Sequence, residues 1–233
     1  MSMFISNDDY QIVKNEEKYS YSIEFKRPSK SLILSIINTH LILGSTITDN
    51  YKTVTFKAIT IQTLSEFQKS LEERNNTKML THELGLRMVL SLSKQLNYFL
   101  TKTKECFFKY DTKNIIVIDE DTFIYVSNDD LMEREKDKED LIITLPFSTN
   151  DYISPELLNI KSIPTKINYK TIYYSLGLLV LNCVSKYDDY EDDDDIKKSI
   201  YNKLENSIQK TNLYYFLKRC LNNEIEKRSL IYI

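Results

Sequence analysis

Residues 172–184, Ile-Tyr-Tyr-Ser-Leu-Gly-Leu-Leu-Val-Leu-Asn-Cys-Val, carry no charge and present apolar groups on every side of a helix. A helix of that kind has no solvent face, so other elements must enclose it. Leu80–Leu100 is longer and also nearly apolar all round, through Leu84, Met88, Val89, Leu92, Leu96 and Phe99. No stretch reaches the roughly 18 apolar residues that mark a membrane-spanning helix. Both segments are therefore expected in the interior of a folded domain.

The first part of the chain has a different period. Residues 10–26 alternate loosely, with Tyr10, Ile12 and Val13 and then Tyr19, Tyr21, Ile23 and Phe25. That pattern predicts two or three short strands, the last stopped by Pro28. A short helix capped by Ser29 or Ser31 is expected to run through Ile37. Leu41–Ile47 and Lys52–Ile59 read as strands joined by the turn Thr48-Asp49-Asn50. Thr63-Leu64-Ser65-Glu66 is a capping-box pattern opening a helix with Leu64, Phe67 and Leu71 on one face. Asn114–Ile118 and Phe123–Ser127 predict a hairpin around Asp119–Thr122. Ile196–Ile208 and Leu213–Leu221 read as amphipathic helices. Strands first and helices after predict an α+β fold.

Glycine is scarce. The 233 residues contain 3, where average usage of about 7% would give roughly 16. Gly44, Gly85 and Gly177 are isolated, so no glycine-rich loop exists to let backbone amides approach phosphates. A net charge of −3 does not imply a broad nucleic-acid-binding face. Cys106, Cys183 and Cys220 lack metal-ligand spacing and read as reduced intracellular thiols. No signal-peptide pattern opens the sequence, which also predicts an intracellular, cytoplasmic or nuclear location. Richness in Ile, Lys, Asn and Tyr points to an AT-biased genome, such as those of parasites and large DNA viruses.

Three segments in fixed order carry a family resemblance. Ser148-Thr149-Asn150-Asp151-Tyr152-Ile153-Ser154-Pro155-Glu156 resembles the end of a kinase activation segment, G-T-P-E-Y-M-[AS]-P-E. Tyr173-Tyr174-Ser175-Leu176-Gly177 resembles the buried W-S-L-G helix, and Glu224-Ile225-Glu226-Lys227-Arg228 the D-P-x-x-R turn. Gln95-Leu96-Asn97-Tyr98-Phe99-Leu100 is similar to the close of the long helix of the larger lobe. The chain thus resembles the eukaryotic protein kinase-like superfamily over about residues 20–233. The resemblance implies a bilobal fold, with a reduced β-rich N-lobe over 1–60 and a helical C-lobe over 61–233. It also implies a buried ion pair between Glu156 and Arg228.

Kinase chemistry is mostly positioning and charge stabilisation around two magnesium ions and a triphosphate. Asn114-Ile115-Ile116-Val117 resembles the N-I-L-V that follows the catalytic loop. Counting back along H-R-D-L-K-P-E-N places the catalytic Asp at Lys109, whose cationic side chain does not accept a proton. Asp111 falls where the family has its loop Lys, and is the nearby carboxylate that would substitute. Counting forward places the metal-binding Asp at Ser127 or Asn128, and a two-residue slip brings in Asp129. Tyr21–Lys26 resembles Y-A-I-K-V-I, with Glu24 at the phosphate-binding Lys position, on the inward face if Tyr21–Phe25 is the strand; a slip of two residues offers Lys26 instead. The Asp that opens the W-S-L-G helix is here Ile172.

The resemblance therefore implies a degenerate kinase, or pseudokinase. Glu24, Lys109, Ser127 and Asn128 stand at lost catalytic positions, and Asn114, Asp111 and Asp129 are the residual nucleotide-site candidates. ATP and magnesium binding are not expected. The expected role is protein–protein binding as scaffold, decoy or allosteric regulator, with an active kinase or its substrate as partner. Residues 130–156 and 185–212 are the candidate surfaces. An atypical nucleotide-dependent phosphotransferase and a subunit of a larger assembly stand as alternatives. The acidic run Tyr187–Asp195 reads as a solvated loop or a site for a basic partner. His40 and His82 stand alone and read as structural.

Overall fold

Alternation between Tyr10 and Phe25 produces two adjacent antiparallel strands, β2 (Tyr10–Lys14) and β3 (Ser20–Phe25). The computed structural model describes residues 2–47, 50–135, 140–185, 200, 202, 204–206 and 208–230. In it, β2 and β3 belong to an antiparallel sheet with β1 (Ser2–Ser6), β4 (Thr46–Ile47) and β5 (Thr53–Lys57), in the order β1-β2-β3-β5-β4. The register sets Tyr10 opposite Phe25, Ile12 opposite Ile23, and Tyr21 opposite Phe56. All six side chains are buried. Successive strand residues point to opposite faces, so Gln11, Ser22, Glu24 and Thr55 share the other face. There Ser22 and Thr55 hydroxyls lie 2.9 Å apart.

Between β3 and β4 runs α1 (Lys30–Asn38), which sends Leu32, Ile33 and Ile36 into the core. Ser29 stands at its N-cap position without a side-chain cap bond. Most of the strand expected over Leu41–Ile47 is absent. His40 (φ 53°) and Gly44 (φ 64°) adopt left-handed backbone, and between them Ile42 is buried while Leu43 is 79% exposed. Only Thr46–Ile47 pairs, with β5.

Beyond β6 (Ile61–Thr63) the chain becomes mainly helical. The capping box opens α2 (Leu64–Asn75): the Thr63 hydroxyl accepts from the Glu66 amide, and the Glu66 carboxylate accepts from the Thr63 amide. Next comes α3 (His82–Lys102), capped by Thr81. The helix is less enclosed than its composition predicts. Glu83, Arg87, Leu90, Lys94, Asn97 and Thr101 form an exposed stripe at three- and four-residue spacing.

Short strands follow: β7 (Glu105–Phe107), the hairpin β8 (Ile115–Ile118) and β9 (Thr122–Tyr125), β10 (Leu131–Glu133) and β11 (Asp140–Ile143). A 3-10 turn, Thr112–Asn114, precedes β8. Then come α4 (Pro155–Leu158), β12 (Thr165–Asn168), α5 (Thr171–Val184) and α6 (Asn212–Cys220). Strand β6 pairs with β8, β7 with β10, and β11 with β12. The result is a mixed α+β fold. Among the described residues no helix is long and apolar enough to cross a membrane. The three cysteines are free and buried.

Helix α5 is the enclosed helix its composition predicts, every residue buried but Asn182. It packs against α3 and α6. At Gly177 the approach of α6 is close enough that a Cβ would lie 2.9 Å from Leu221 Cγ and 3.0 Å from Cys220 Cβ. Gly177→Ala is therefore expected to cost ~1–3 kcal/mol through overpacking, measurable by denaturant titration. The acidic run Tyr187–Asp195, most of the expected helix 196–208, residues 136–139 and the turn residues 48–49 lie outside the described residues.

Candidate functional site

Strand β8 begins directly after Asn114, and its pairing with β9 returns the chain to the same place: Val126 N–H donates to the Asn114 carbonyl at 2.9 Å. The turn Asn128–Leu131 then adds residues before β10 pairs with β7, Leu131 opposite Phe107. Phe108 N–H donates to the Asp130 carbonyl at 3.1 Å. This register sets the Asp130 carboxylate against Asn114 and Lys109. It bounds a cavity of about 200 Å³ whose lining includes Asn7, Asp9, Asp111, Ser127 and Ser148.

Asp130 is 5% exposed. One carboxylate oxygen lies 3.6 Å from Lys109 Nζ. The other accepts from the Tyr125 hydroxyl at 2.5 Å and from Asn114 Nδ2 at 3.5 Å. Burial, and then the neighbouring Asp130 charge, push the Tyr125 phenol well above its ordinary 10.0, so it serves as a donor. Lys109 is 6% exposed and also donates to the Ser148 carbonyl at 3.0 Å and its hydroxyl at 3.2 Å.

Counting from Asn114 pointed to Ser127, Asn128 or Asp129 for the carboxylate beside Asn114; Ser127 and Asp129 do line the cavity, but each of the three is bonded to a partner other than Asn114. Ser127 donates to Asp9 Oδ2 at 3.1 Å. Asn128 donates to the Arg27 carbonyl at 3.4 Å. Asp129 is 65% exposed and paired with Arg27. The sequence reading missed Asp130 because the turn before β10 is longer than the spacing assumed. Asp111 lies at the cavity but is occupied locally: its carboxylate accepts from Lys113 N–H at 3.1 Å and pairs with Lys113 Nζ at 3.3 Å.

Glu24 is not inward. It stands on the face of β3 opposite the buried Ile23 and Phe25 and accepts from Gln11 Nε2 at 2.6 Å. The inward positions of that strand are apolar, so no charge from it enters the cavity.

The β1–β2 turn supplies the roof, a contribution sequence reading also missed. Asn7 Nδ2 donates to Asn114 Oδ1 at 3.1 Å, and Asn7 Oδ1 accepts from the Asp9 and Tyr10 amides at 2.8 and 2.9 Å. Asp8 and Asp9 ride on this turn. Burial, and then the charge of Asp129, raise the Asp9 carboxyl above its ordinary 3.8, against the opposing effects of Ser127 and Arg27. Around the cavity, Asp8, Asp9, Asp111, Asp129 and Asp130 outnumber the cations Lys109, Lys113 and Arg27.

The floor is braced from α5. The Ser175 hydroxyl accepts from Tyr110 N–H at 3.2 Å and donates to the Tyr152 carbonyl at 2.5 Å. The loop is thus fastened although the Asp expected at the helix start is Ile172. A serine in an otherwise apolar helix was the available signal. At the other edge, Asp119 Oδ1 accepts from Ile59 N–H at 2.6 Å and Thr60 N–H at 2.9 Å. Two of the three backbone donors between β5 and β6 are thereby occupied, and the third, Ala58 N–H, donates to the Tyr19 carbonyl at 2.9 Å.

Away from the cavity, Arg228 and Glu156 form a bidentate pair with N···O distances of 2.9 and 2.6 Å. Burial works against the Glu156 charge, yet hydrogen bonds and charge from Arg228 hold its carboxyl below the ordinary 4.5.

No family model matches the chain, and no curated protein matches it.

Proposed function

We propose that this is a degenerate protein kinase-like protein, bilobal in architecture, that has lost phosphotransfer and acts by binding another protein. One observation carries the reading: Lys109, at the position assigned to the catalytic Asp, sits in the cavity as the counter-ion of Asp130. A cation there removes the proton acceptor and competes with a metal ion for the carboxylate. Three further features agree. The β1–β2 turn brings Asp8 and Asp9 where a phosphate loop would bring glycine amides. Two unit charges 4 Å apart interact by about 4 kcal/mol at an effective dielectric of 20, so carboxylates there repel a triphosphate. The Ile59 and Thr60 amides are already taken by Asp119. The donor set does not fit a magnesium nucleotide.

The element order also supports the assignment. Three strands, a helix and three strands precede the helical part, and the Glu156–Arg228 pair links two of the three segments on which the resemblance rests. Free, buried cysteines agree with an intracellular setting. The segment 140–156, with Leu145 66% exposed, is our candidate surface for a protein partner.

A thermal melt with and without millimolar ATP and magnesium or manganese tests this. No shift in midpoint is expected. A ligand at 100 times its dissociation constant would add about 2.7 kcal/mol, a rise of roughly 5–11 °C for a chain of this size. The placement of Asp130 beside Asn114 favours one second reading, an atypical nucleotide-dependent transferase. That reading requires a metal-dependent rise in the midpoint that Asp130→Ala abolishes.

A further inference from the structure

A single unbroken polar chain crosses the cavity. It begins at Ser148, whose carbonyl and hydroxyl accept from Lys109 at 3.0 and 3.2 Å. Lys109 faces Asp130 at 3.6 Å, and Asp130 accepts from Asn114 at 3.5 Å. Asn114 accepts from Asn7 at 3.1 Å, and Asn7 organises its own turn through the Asp9 and Tyr10 amides. Each link joins parts far apart in sequence: the segment before α4, the loop after β7, the turn before β10, and the β1–β2 turn. Lys109, Asn114 and Asp130 are buried, which strengthens each bond and makes an unpaired member costly.

We propose that this chain is a built-in coupling device, in which the Lys109 ammonium does the ordering work that a bound ligand and metal ion would otherwise do. The proposal deepens the functional reading above and rests on it for the claim that side chains stand in place of a nucleotide. Its consequence is specific. The β1–β2 turn and the segment 144–152 hold each other in place through these side chains. A partner that engages the exposed segment 144–152 is then sensed at the β1–β2 turn through Lys109, Asp130, Asn114 and Asn7. A contiguous network of hydrogen bonds and ion pairs can carry coupling of this kind, and one substitution within it interrupts the path.

Hydrogen exchange followed by mass spectrometry on the full chain tests it, with wild type, Lys109→Met and Asn7→Ala compared. Lys109→Met removes the ammonium and keeps the apolar stem. It is expected to speed exchange about tenfold in peptides covering both 5–14 and 144–152, while protection of α5 stays at the wild-type level. Asn7→Ala, cut at the opposite end, is expected to speed exchange in 144–152 about threefold. Acceleration confined to 144–152 in Lys109→Met would overturn the coupling. If Lys109→Met instead loses α5 protection and is globally unfolded, Asn7→Ala decides, and wild-type rates in 144–152 sink the proposal. The melt with ATP and metal is read separately on the wild type. A nucleotide-dependent rise there removes the functional reading, whereas the exchange pattern alone judges the coupling.

Discussion

Glu156→Ala is expected to destabilise the protein by ~3–5 kcal/mol, the range for breaking a buried ion pair from one side. The asymmetry of the pair sets the size. The Arg228 side chain is fully buried while that of Glu156 is 27% exposed. Among the described residues, truncating Glu156 leaves the guanidinium the Asn222 carbonyl at 2.8 Å as acceptor and the face of Tyr174 at 4.8 Å. Arg228→Ala leaves a carboxylate that water can partly reach, and its cost is expected to be smaller. Urea titration reads both. Equal and negligible losses would show that the pair contributes nothing net. The pH dependence follows from the sign of the shift. The Glu156 carboxyl is held below its ordinary 4.5 in the folded state. Its contribution is therefore fully present above the unfolded value and is lost as pH falls through the folded one. The gap between wild type and Glu156→Ala should close in acid.

That pair became legible through motif order, and the enclosed helix α5 through its lack of any polar face. The Thr63–Glu66 box was legible because its geometry is local. What the sequence hid was register. Strands β7, β10, β11 and β12 are three or four residues long, with partners far off in sequence, so no window contains the signal. Asp130 was hidden for the same reason: its place beside Asn114 depends on β10 pairing with β7, and counting along the chain cannot see that.

Glu24 is a different kind of error. Tyr21, Ile23 and Phe25 alternate, and that alternation already assigns Glu24 to the face opposite theirs, since a one-residue slip exchanges the faces. In β3 the alternation of apolar side chains, and not the motif, fixes which way Glu24 points. The tripeptide Asn7-Asp8-Asp9 was likewise open to reading, as turn chemistry between two strands.

The second large effect is expected at Phe107, which the kinase resemblance sets at the first residue of the catalytic-loop octet. Its ring is fully buried and meets Phe99 at 4.8 Å, Tyr125 at 4.9 Å and Tyr110 at 5.9 Å between centroids. Phe107→Ala removes the common neighbour of three aromatic rings, and a cavity in a close-packed interior relaxes only in part. A loss of ~3–5 kcal/mol is expected, read as a lower urea midpoint with an unchanged slope. The consequence reaches the site through Tyr125, whose hydroxyl accepts from Asp111 N–H at 3.1 Å and donates to Asp130 at 2.5 Å. Phe107→Leu, which refills most of the volume, should recover most of the stability. If Phe107→Ala instead costs less than about 1 kcal/mol, the rings must close over the vacancy. Tyr125 would then keep its place beneath the Asp130 carboxylate through its contact with Tyr110, without the Phe107 ring.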